Sequence, residues 1–473
     1  MKEYTTLTSE VLTACEQVKE QNNTRSLETG KAPRAYVLTF GCQQNEADSE
    51  LLCGLCQKMG YEITDDPKEA DLILANTCAI REHAEKKALS IIGGFKACKR
   101  QNPDLIIGVT GCMAAEAHRR EEIKQKYPYV DLVFSPASRH RLPQLILEKR
   151  MSGKRVFCPE ERDLTMPEGL PVRRKNSYRA WVSIMYGCNN FCSYCIVPYV
   201  RGRERSRKAS EIVSEVEALV GEGYKDITLL GQNVNSYGKD LETPIDFADL
   251  LARLDAIPGD FRLRFMTSHP KDAGKKLIDV MAASSHVARQ FHLPLQSGSD
   301  KVLKEMNRHY DREKYLATVA YLREKIPDVT LSTDIIVGFP GESDEDFEDT
   351  LSILNEVKFD QIFSFLYSPR KGTPAAGRED QVPKDVKAER FDRLLALQNE
   401  IGLANNQKLV GKELRILCDG PSKSNPNLLS GRTDGGKIVF FHGDAKKMTG
   451  QYVLVTPKRA DAYSLYETEQ KDG

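Results

Sequence analysis

Met185-Tyr186-Gly187-Cys188-Asn189-Asn190-Phe191-Cys192-Ser193-Tyr194-Cys195 carries three cysteines at C-x3-C-x2-C spacing. A structural zinc takes four protein ligands, and no histidine follows Cys195 before His269. A cubane iron–sulfur cluster has four irons, so three thiolates on one loop leave an iron open to a substrate or cofactor. A zinc knuckle and plain buried cysteines are the competing readings, and the missing fourth ligand weighs against the first. Trp181–Met185 reads as a strand, and the loop follows it through Gly187. In a βα barrel that is the C-terminal face, where active sites gather.

The flanking sequence fits such a barrel. Further strands are expected at Ile227–Leu230, Leu263–Phe265, Gln290–His292, Leu331–Val337 and Gln361–Tyr367, with helical segments between them. Residues 177–406 therefore read as an incomplete barrel of about six βα units. Upstream, Tyr36–Phe40, Asp71–Asn76 and Leu105–Thr110 read as strands, with helices over Glu46–Met59 and from about Arg81. That alternation predicts a doubly wound, mostly parallel sheet over 34–155. Residues 1–33 read as a polar N-terminal tail or a single loose helix. Residues 156–176 hold Pro159, Pro167, Gly169 and Pro171 and read as a linker. After Gly411 short runs (Leu414–Leu417, Lys437–Phe441, Tyr452–Thr456) alternate with glycine turns, so 407–473 reads as a small antiparallel β-barrel. The fold class is α/β throughout the first two parts.

Composition narrows the function. The 473 residues are 40% hydrophobic and 29% charged, which allows a sizeable core. No apolar run reaches the ~18 residues of a membrane span, and no signal core opens the chain, so a cytoplasmic location is expected. Twelve cysteines in such a chain suit metal ligation better than disulfides. Sixty-eight basic residues balance 68 acidic ones, so any nucleic-acid contact must come from local patches.

A second set of cysteines is dispersed. Cys42, Cys78 and Cys112 each stand at or just past the end of an expected parallel strand. Such ends converge on one edge of a doubly wound sheet, so the three read as a second open cluster site. Three small core residues are the alternative. Cys53 and Cys56 share an apolar helical stripe and read as packing rather than as a redox pair. Cys15, Cys98, Cys158 and Cys418 are isolated. Arg201, Arg203, Arg205 and Arg207, with Lys208 and Glu204, form a basic run that is either a solvated loop or a contact for RNA phosphates. Arg173-Arg174-Lys175, Lys446-Lys447 and Lys458-Arg459 would extend that track. Gly338–Gly341 reads as a tight turn, too weak a signal for a phosphate loop.

The triad Cys188/Cys192/Cys195, with an aromatic residue before the last cysteine, resembles the radical S-adenosylmethionine superfamily. Thr39-Phe40-Gly41-Cys42-Gln43-Gln44-Asn45-Glu46-Ala47-Asp48-Ser49, Asn76-Thr77-Cys78-Ala79-Ile80-Arg81-Glu82 and Gly111-Cys112-Met113 then resemble the methylthiotransferases within it. The Gln43, Arg81 and Glu82 context is similar to the branch acting on isopentenyladenosine in tRNA; Gln44 departs from the methionine more usual there. The resemblance implies a cluster domain, a radical barrel and a C-terminal TRAM-like domain that binds RNA. It implies two 4Fe–4S clusters and S-adenosylmethionine, with one cluster generating a radical and the Cys42/Cys78/Cys112 cluster carrying the sulfur that is methylated and transferred to carbon-2 of the adenine. Tyr194, Gln232, Asn233, Ser268, Gln296 and Asp334 are the implied cofactor-binding residues, some of which could simply cap helices. Implied partners are tRNA, a flavodoxin- or ferredoxin-like electron donor and a sulfur donor or cluster carrier. The alternatives are the same chemistry on threonylcarbamoyladenosine or on a ribosomal protein, and a non-catalytic RNA-binding iron–sulfur protein.

Overall fold

The computed structural model describes residues 2–79, 82–158 and 167–468. Two compact units emerge. The first holds Met1–Lys175, Tyr186–Asn189 and Cys195–Glu204; the second holds Asn176–Met185, Asn190–Tyr194 and Arg205–Gly473. Among the described residues, no helix is long and apolar enough to cross a membrane.

The first unit is built on six parallel strands: β1 (Arg34–Thr39), β2 (Glu62–Ile63), β3 (Leu72–Thr77), β4 (Ile106–Gly111), β5 (Leu132–Phe134) and β6 (Val156–Cys158). Their order is β2-β1-β3-β4-β5-β6. Every residue of β3 and β4 is buried, as the central strands of a sheet covered on both faces must be. Leu72 and Leu74 face one core with Leu52 and Leu55 of α2 (Gln43–Lys58). Ile73 and Ala75 face the other with Ile92 and Phe95 of the helix Glu82–Gln101.

Of the two readings of residues 1–33, the single helix is the one observed, α1 (Lys2–Thr29). Val11, Cys15 and Val18 recur at helical spacing and are fully buried in the α2 core. The supposed linker from 156 opens with β6, which pairs in parallel with β5. Its far end is also fixed. Arg173 N donates to Glu50 O at 3.0 Å, while the buried Glu50 carboxylate accepts from Arg174 Nη1 and Lys175 N, both at 3.0 Å. Arg174 is thus committed to Glu50 and does not extend an RNA track. Residues 159–166 lie outside those described.

In the second unit, strands Arg179–Ser183, Asp226–Leu230 and Arg262–Phe265 form one parallel sheet, and Gln290–His292, Thr330–Val337 and Gln361–Leu366 another. A parallel bridge, Leu263 to Val287, ties the first sheet to the segment that leads into Gln290–His292, in keeping with the six-stranded partial barrel expected. Its core runs from Ala180 and Val182 to Ile335 and Leu394. Six further strands between Leu414 and Tyr466 make one sheet. It is not wholly antiparallel as expected, because Ile438–Phe441 pairs in parallel with Ser464–Tyr466.

Asp226 ties the start of the partial barrel together. It is 1% exposed, with Arg179 Nη2 at 3.4 Å and Arg264 Nε at 3.2 Å. Arg264 also donates to Thr433 O at 2.9 Å and Asp434 O at 2.8 Å. Removing one partner of a buried ion network leaves charge uncompensated, so Asp226→Ala should cost about 3–5 kcal/mol. Denaturant unfolding should show a lower midpoint for this variant, whereas Asp260→Ala, whose ion pair with Arg415 is exposed, should change little.

Candidate metal centres

Cys42 is the residue before α2, Cys78 directly follows β3, and Cys112 directly follows β4. Strands β1, β3 and β4 are neighbours, with Thr39 opposite Asn76 and Asn76 opposite Thr110. The chain leaves β1 toward β2 on one side and returns to β3 on the other, so Cys42 and Cys78 flank the point where strand order reverses. Doubly wound sheets bind their ligands there. Gly41 takes φ of 112°, and a Cβ on it would lie 2.7 Å from Cys78 Cβ and 2.9 Å from its Sγ. Only glycine permits that approach. Burial pushes the Cys112 thiol above the ordinary range, Arg201 pulls it back, and Cys42 stands close enough to raise it further.

The residues around Cys42 lock these strand ends. Asn45 Nδ2 donates to Phe40 O at 2.7 Å and Thr77 O at 3.0 Å. Asn76 Nδ2 donates to Asn45 O at 2.8 Å and to Ser49 Oγ at 2.9 Å; Thr39 Oγ1 donates to Ser49 Oγ at 2.8 Å. Gln44, the departure from the branch pattern, is buried and donates to Asp48 at 3.3 Å. Arg81 lies outside the described residues, as does the Glu82 side chain.

Cys188 and Cys195 belong to the first unit and Cys192 to the second. Cys188 N donates to Gly202 O at 3.1 Å. Gly187 has φ of 74°, and a Cβ there would meet Arg203 O at 2.0 Å. In the second unit, Asn307 Nδ2 donates to Asn190 O at 3.2 Å and Phe191 O at 3.0 Å, and Ser193 Oγ donates to Glu305 O at 2.8 Å. Arg308, which the sequence reading missed, is buried and places Nη1 3.4 Å from Cys192 Sγ. Among the described residues no three His, Cys, Asp or Glu side chains converge as a single metal ion requires. A cubane asks for less convergence, because its cysteines surround a cluster rather than one ion. The strand-end triad and its glycine cradle suit such a group.

The late polar residues divide by environment. Asn233, Asn235, Ser268 and His269 are buried beyond the C-terminal ends of Asp226–Leu230 and Arg262–Phe265. Among the described residues, Asn233 Oδ1, both amide atoms of Asn235, Ser268 Oγ and His269 Nε2 have no hydrogen-bond partner. Buried polar groups are normally satisfied, so this set suits a polar ligand such as S-adenosylmethionine. Burial drives the His269 imidazole far below its usual pKa, with Arg308 and Lys271 adding to the effect. Its Nδ1 accepts from Lys271 N at 3.3 Å, which leaves Nε2 as the donor. The sequence reading reaches His269 only within the stretch Ser268-His269-Pro270 and does not single out Asn235. Gln296, 7% exposed, takes φ of 73°, and its N donates to Asp334 O at 2.8 Å. The Asp334 carboxylate is 3.6 Å from His292 Nε2. Tyr194 packs beside Met306, Phe339 and Tyr367, and Gln232 is half-buried. The Gly338–Gly341 turn ends at Glu342, which accepts from Gly338 N at 3.0 Å and whose carboxyl is pushed up to about 7 by burial.

The basic run does not form a single exposed track. Arg201 is 5% exposed and bound to Asp48 at 2.9 Å, so an RNA-contact role for it is corrected: its charge is spent inside the first unit. Arg207 donates to Ser183 O at 2.7 Å and Glu215 at 2.8 Å. Arg203 is exposed and Arg205 half-buried. Lys446, Lys447 and Lys458 are exposed on the C-terminal sheet unit, and Arg459 stacks on Tyr466 at 3.7 Å.

Three family models match the chain: the Radical SAM superfamily over residues 182–354, the Uncharacterized protein family UPF0004 over 34–135, and the TRAM domain over 407–466. A tRNA-2-methylthio-N(6)-dimethylallyladenosine synthase of Clostridium botulinum (strain Langeland) is 52% identical over 430 residues, covering 91% of this chain and 95% of that protein. The protein of that name from Alkaliphilus oremlandii is 48% identical over 462 residues, covering 97% and 98%. Among solved structures, the radical S-adenosylmethionine methyltransferase TsrM of Kitasatospora setae, with cobalamin and a 4Fe–4S cluster bound, has a TM-score of 0.54 at 16% identity. It covers 85% of this chain and 82% of that one, a likeness of fold alone.

The remaining cysteines behave as packing groups. Cys56 is fully buried with its thiol raised well above the ordinary value, and burial pushes Cys53 up to about 11 and Cys15 up to about 11. Thiolate is the reactive form. Cys53 and Cys56 should therefore resist iodoacetamide at pH 8 in the folded chain and react once it is unfolded, as peptide mass spectrometry would read.

Proposed function

Because the chain belongs to the tRNA-2-methylthio-N(6)-dimethylallyladenosine synthase family, we propose that it replaces the hydrogen on carbon-2 of N6-dimethylallyladenosine in tRNA by a methylthio group. Membership in the radical S-adenosylmethionine superfamily brings one cubane cluster and S-adenosylmethionine with it. Cys188, Cys192 and Cys195 would hold the cluster, which with S-adenosylmethionine would supply the radical chemistry that an unactivated aromatic C–H demands. The reading adds a second cluster on Cys42, Cys78 and Cys112 as the sulfur carrier. The observation that carries it is the placement of these three cysteines at neighbouring strand ends beside the sheet's reversal point.

The chain's own residues take distinct parts. Gly41 and the Asn45–Asn76–Ser49 network hold the second site's strand ends together. Arg308 and Asn307 brace the loop around Cys192. Asn233, Asn235, Ser268 and neutral His269 offer donors and acceptors to the amino, carboxylate or ribose groups of the cofactor. Tyr194, Gln232, Gln296 and Asp334 would complete that pocket. The TRAM domain's exposed lysines, with Arg203 and Arg205, would meet tRNA phosphates, making binding weaken as salt rises. A small flavoprotein or ferredoxin would supply electrons and a separate donor would replenish sulfur, all in the cytoplasm.

Anaerobic reconstitution should give about eight irons per chain, and Cys78→Ala about four. A wild-type value near four that Cys78→Ala leaves unchanged would remove the second site. Cys192→Ala should abolish deoxyadenosine release from S-adenosylmethionine while retaining tRNA binding in a filter assay. In a strain lacking the protein, nucleoside mass spectrometry should show the methylthio derivative gone and its dimethylallyl precursor accumulated; persistence of the derivative would refute the assigned reaction.

A further inference from the structure

Arg201 ends a short helix, Val197–Arg201, that begins two residues after Cys195. Ile196 and Val200 on that segment pack against Ala79, Cys112 and Ala115. The loop that supplies a radical-site cysteine is therefore seated on the other triad within the first unit. Arg201 Nε lies 3.2 Å from Cys112 Sγ, and Nη2 donates to Asn45 Oδ1 at 2.7 Å and Asp48 Oδ2 at 2.9 Å. Asp48 in turn has Arg139 Nε at 3.3 Å. Aiming a buried guanidinium at a sulfur with two anchors on its other edge is a built arrangement. It recurs at the second triad, where buried Arg308 donates to Cys192 Sγ while Nη2 holds Pro294 O at 2.9 Å.

A hydrogen bond to a cysteinyl sulfur withdraws charge from it and favours the reduced, more negative state of a cluster that the sulfur ligates. Asp48, shared with Arg139, offsets part of the arginine's charge, so the direct hydrogen bond to Cys112 is the main influence on the centre. We infer that Arg201 is a positioning residue that raises the reduction potential of the Cys42/Cys78/Cys112 centre and orients Cys112 toward it. The inference rests on the two-centre reading above. Lysine cannot reproduce it, because a single ammonium cannot span Cys112 Sγ and the Asp48–Asn45 pair with a planar fork.

The test uses the full chain with Cys188, Cys192 and Cys195 all changed to Ala, so that one centre remains. About four irons are expected in this background. Redox titration followed by electron paramagnetic resonance should then place Arg201→Gln at a lower midpoint. The expected shift is about tenfold in the oxidised-to-reduced ratio at a fixed potential, or about 59 mV for one electron. Arg201→Lys should fall between Arg201→Gln and the parent. An unmoved midpoint with iron retained overturns the inference. Loss of iron from both variants also overturns it, leaving Arg201 a purely structural role. A background that holds no iron removes the two-centre reading and the inference with it. As a control, Arg201→Gln in the Cys78→Ala chain should leave the remaining cluster's midpoint in place, and a shift there would show that the effect is not local to Cys112.

Discussion

Three cysteines separated by dozens of residues stand together because parallel strands β1, β3 and β4 end in register. Main-chain pairing alone would leave those ends free to fray, since the strands stop at Thr39, Thr77 and Gly111. Asn45 and Asn76 prevent it by spending side-chain donors on the carbonyls of neighbouring segments. Each such bond is worth about 1 kcal/mol net. Its larger effect is geometric, because the buried carbonyls it satisfies would otherwise need water at the centre of the site. The same asparagine presents Oδ1 to Arg201, so the strand-end lock and the sulfur-directed guanidinium share one residue.

Buried charge is the second constraint. Arg201, Arg139 and Asp48 are each at most 5% exposed. Desolvating them is costly, and replacing such a set by apolar residues is often neutral or stabilising. A stability argument therefore does not account for the arrangement, whereas its direction does: the guanidinium edge that Asp48 and Asn45 leave open faces Cys112. Asp226 makes the contrast. Its partners Arg179 and Arg264 point on to Asp419 and to the carbonyls of Thr433 and Asp434, and the network binds strands to the C-terminal sheet through oxygen acceptors alone.

Much of this was legible in the sequence because it depended on periodicity. The long central strands and their order of appearance follow from buried apolar runs, and Gln290–His292 lies where expected. What was missed depended on context. Among the described side chains of the helix Lys2–Thr29, the buried apolar ones are Val11, Ala14, Cys15 and Val18, too narrow a stripe to stand out from a polar background. Leu429–Thr433 alternates buried and half-buried residues, but the buried set is Leu, Gly and Thr, so the period of two leaves little hydrophobic trace. Arg201 looked like part of a charge run, and nothing local distinguishes it from Arg203. Only the tertiary position of Asp48, far upstream, decides that one is interior and the other exposed.

The late polar residues were the hardest to rank, and the backbone explains why. Phe191, Thr267, Gln296, Asn307 and His309 all take left-handed φ values between 47° and 73° without being glycine. Such conformations cost on the order of 1–3 kcal/mol each and persist only where the surroundings impose them. Thr267 directly precedes Ser268 and His269, whose Oγ and Nε2 have no hydrogen-bond partner among the described residues. Strain and unmet hydrogen bonding in one stretch both oppose folding, and neither leaves a mark in composition or periodicity. A sequence optimised for stability alone would have placed glycine at 267 and smaller apolar residues after it. That the chain keeps Thr267, Ser268 and His269 argues that their gain comes from what they meet at the open ends of the strands, after folding is complete.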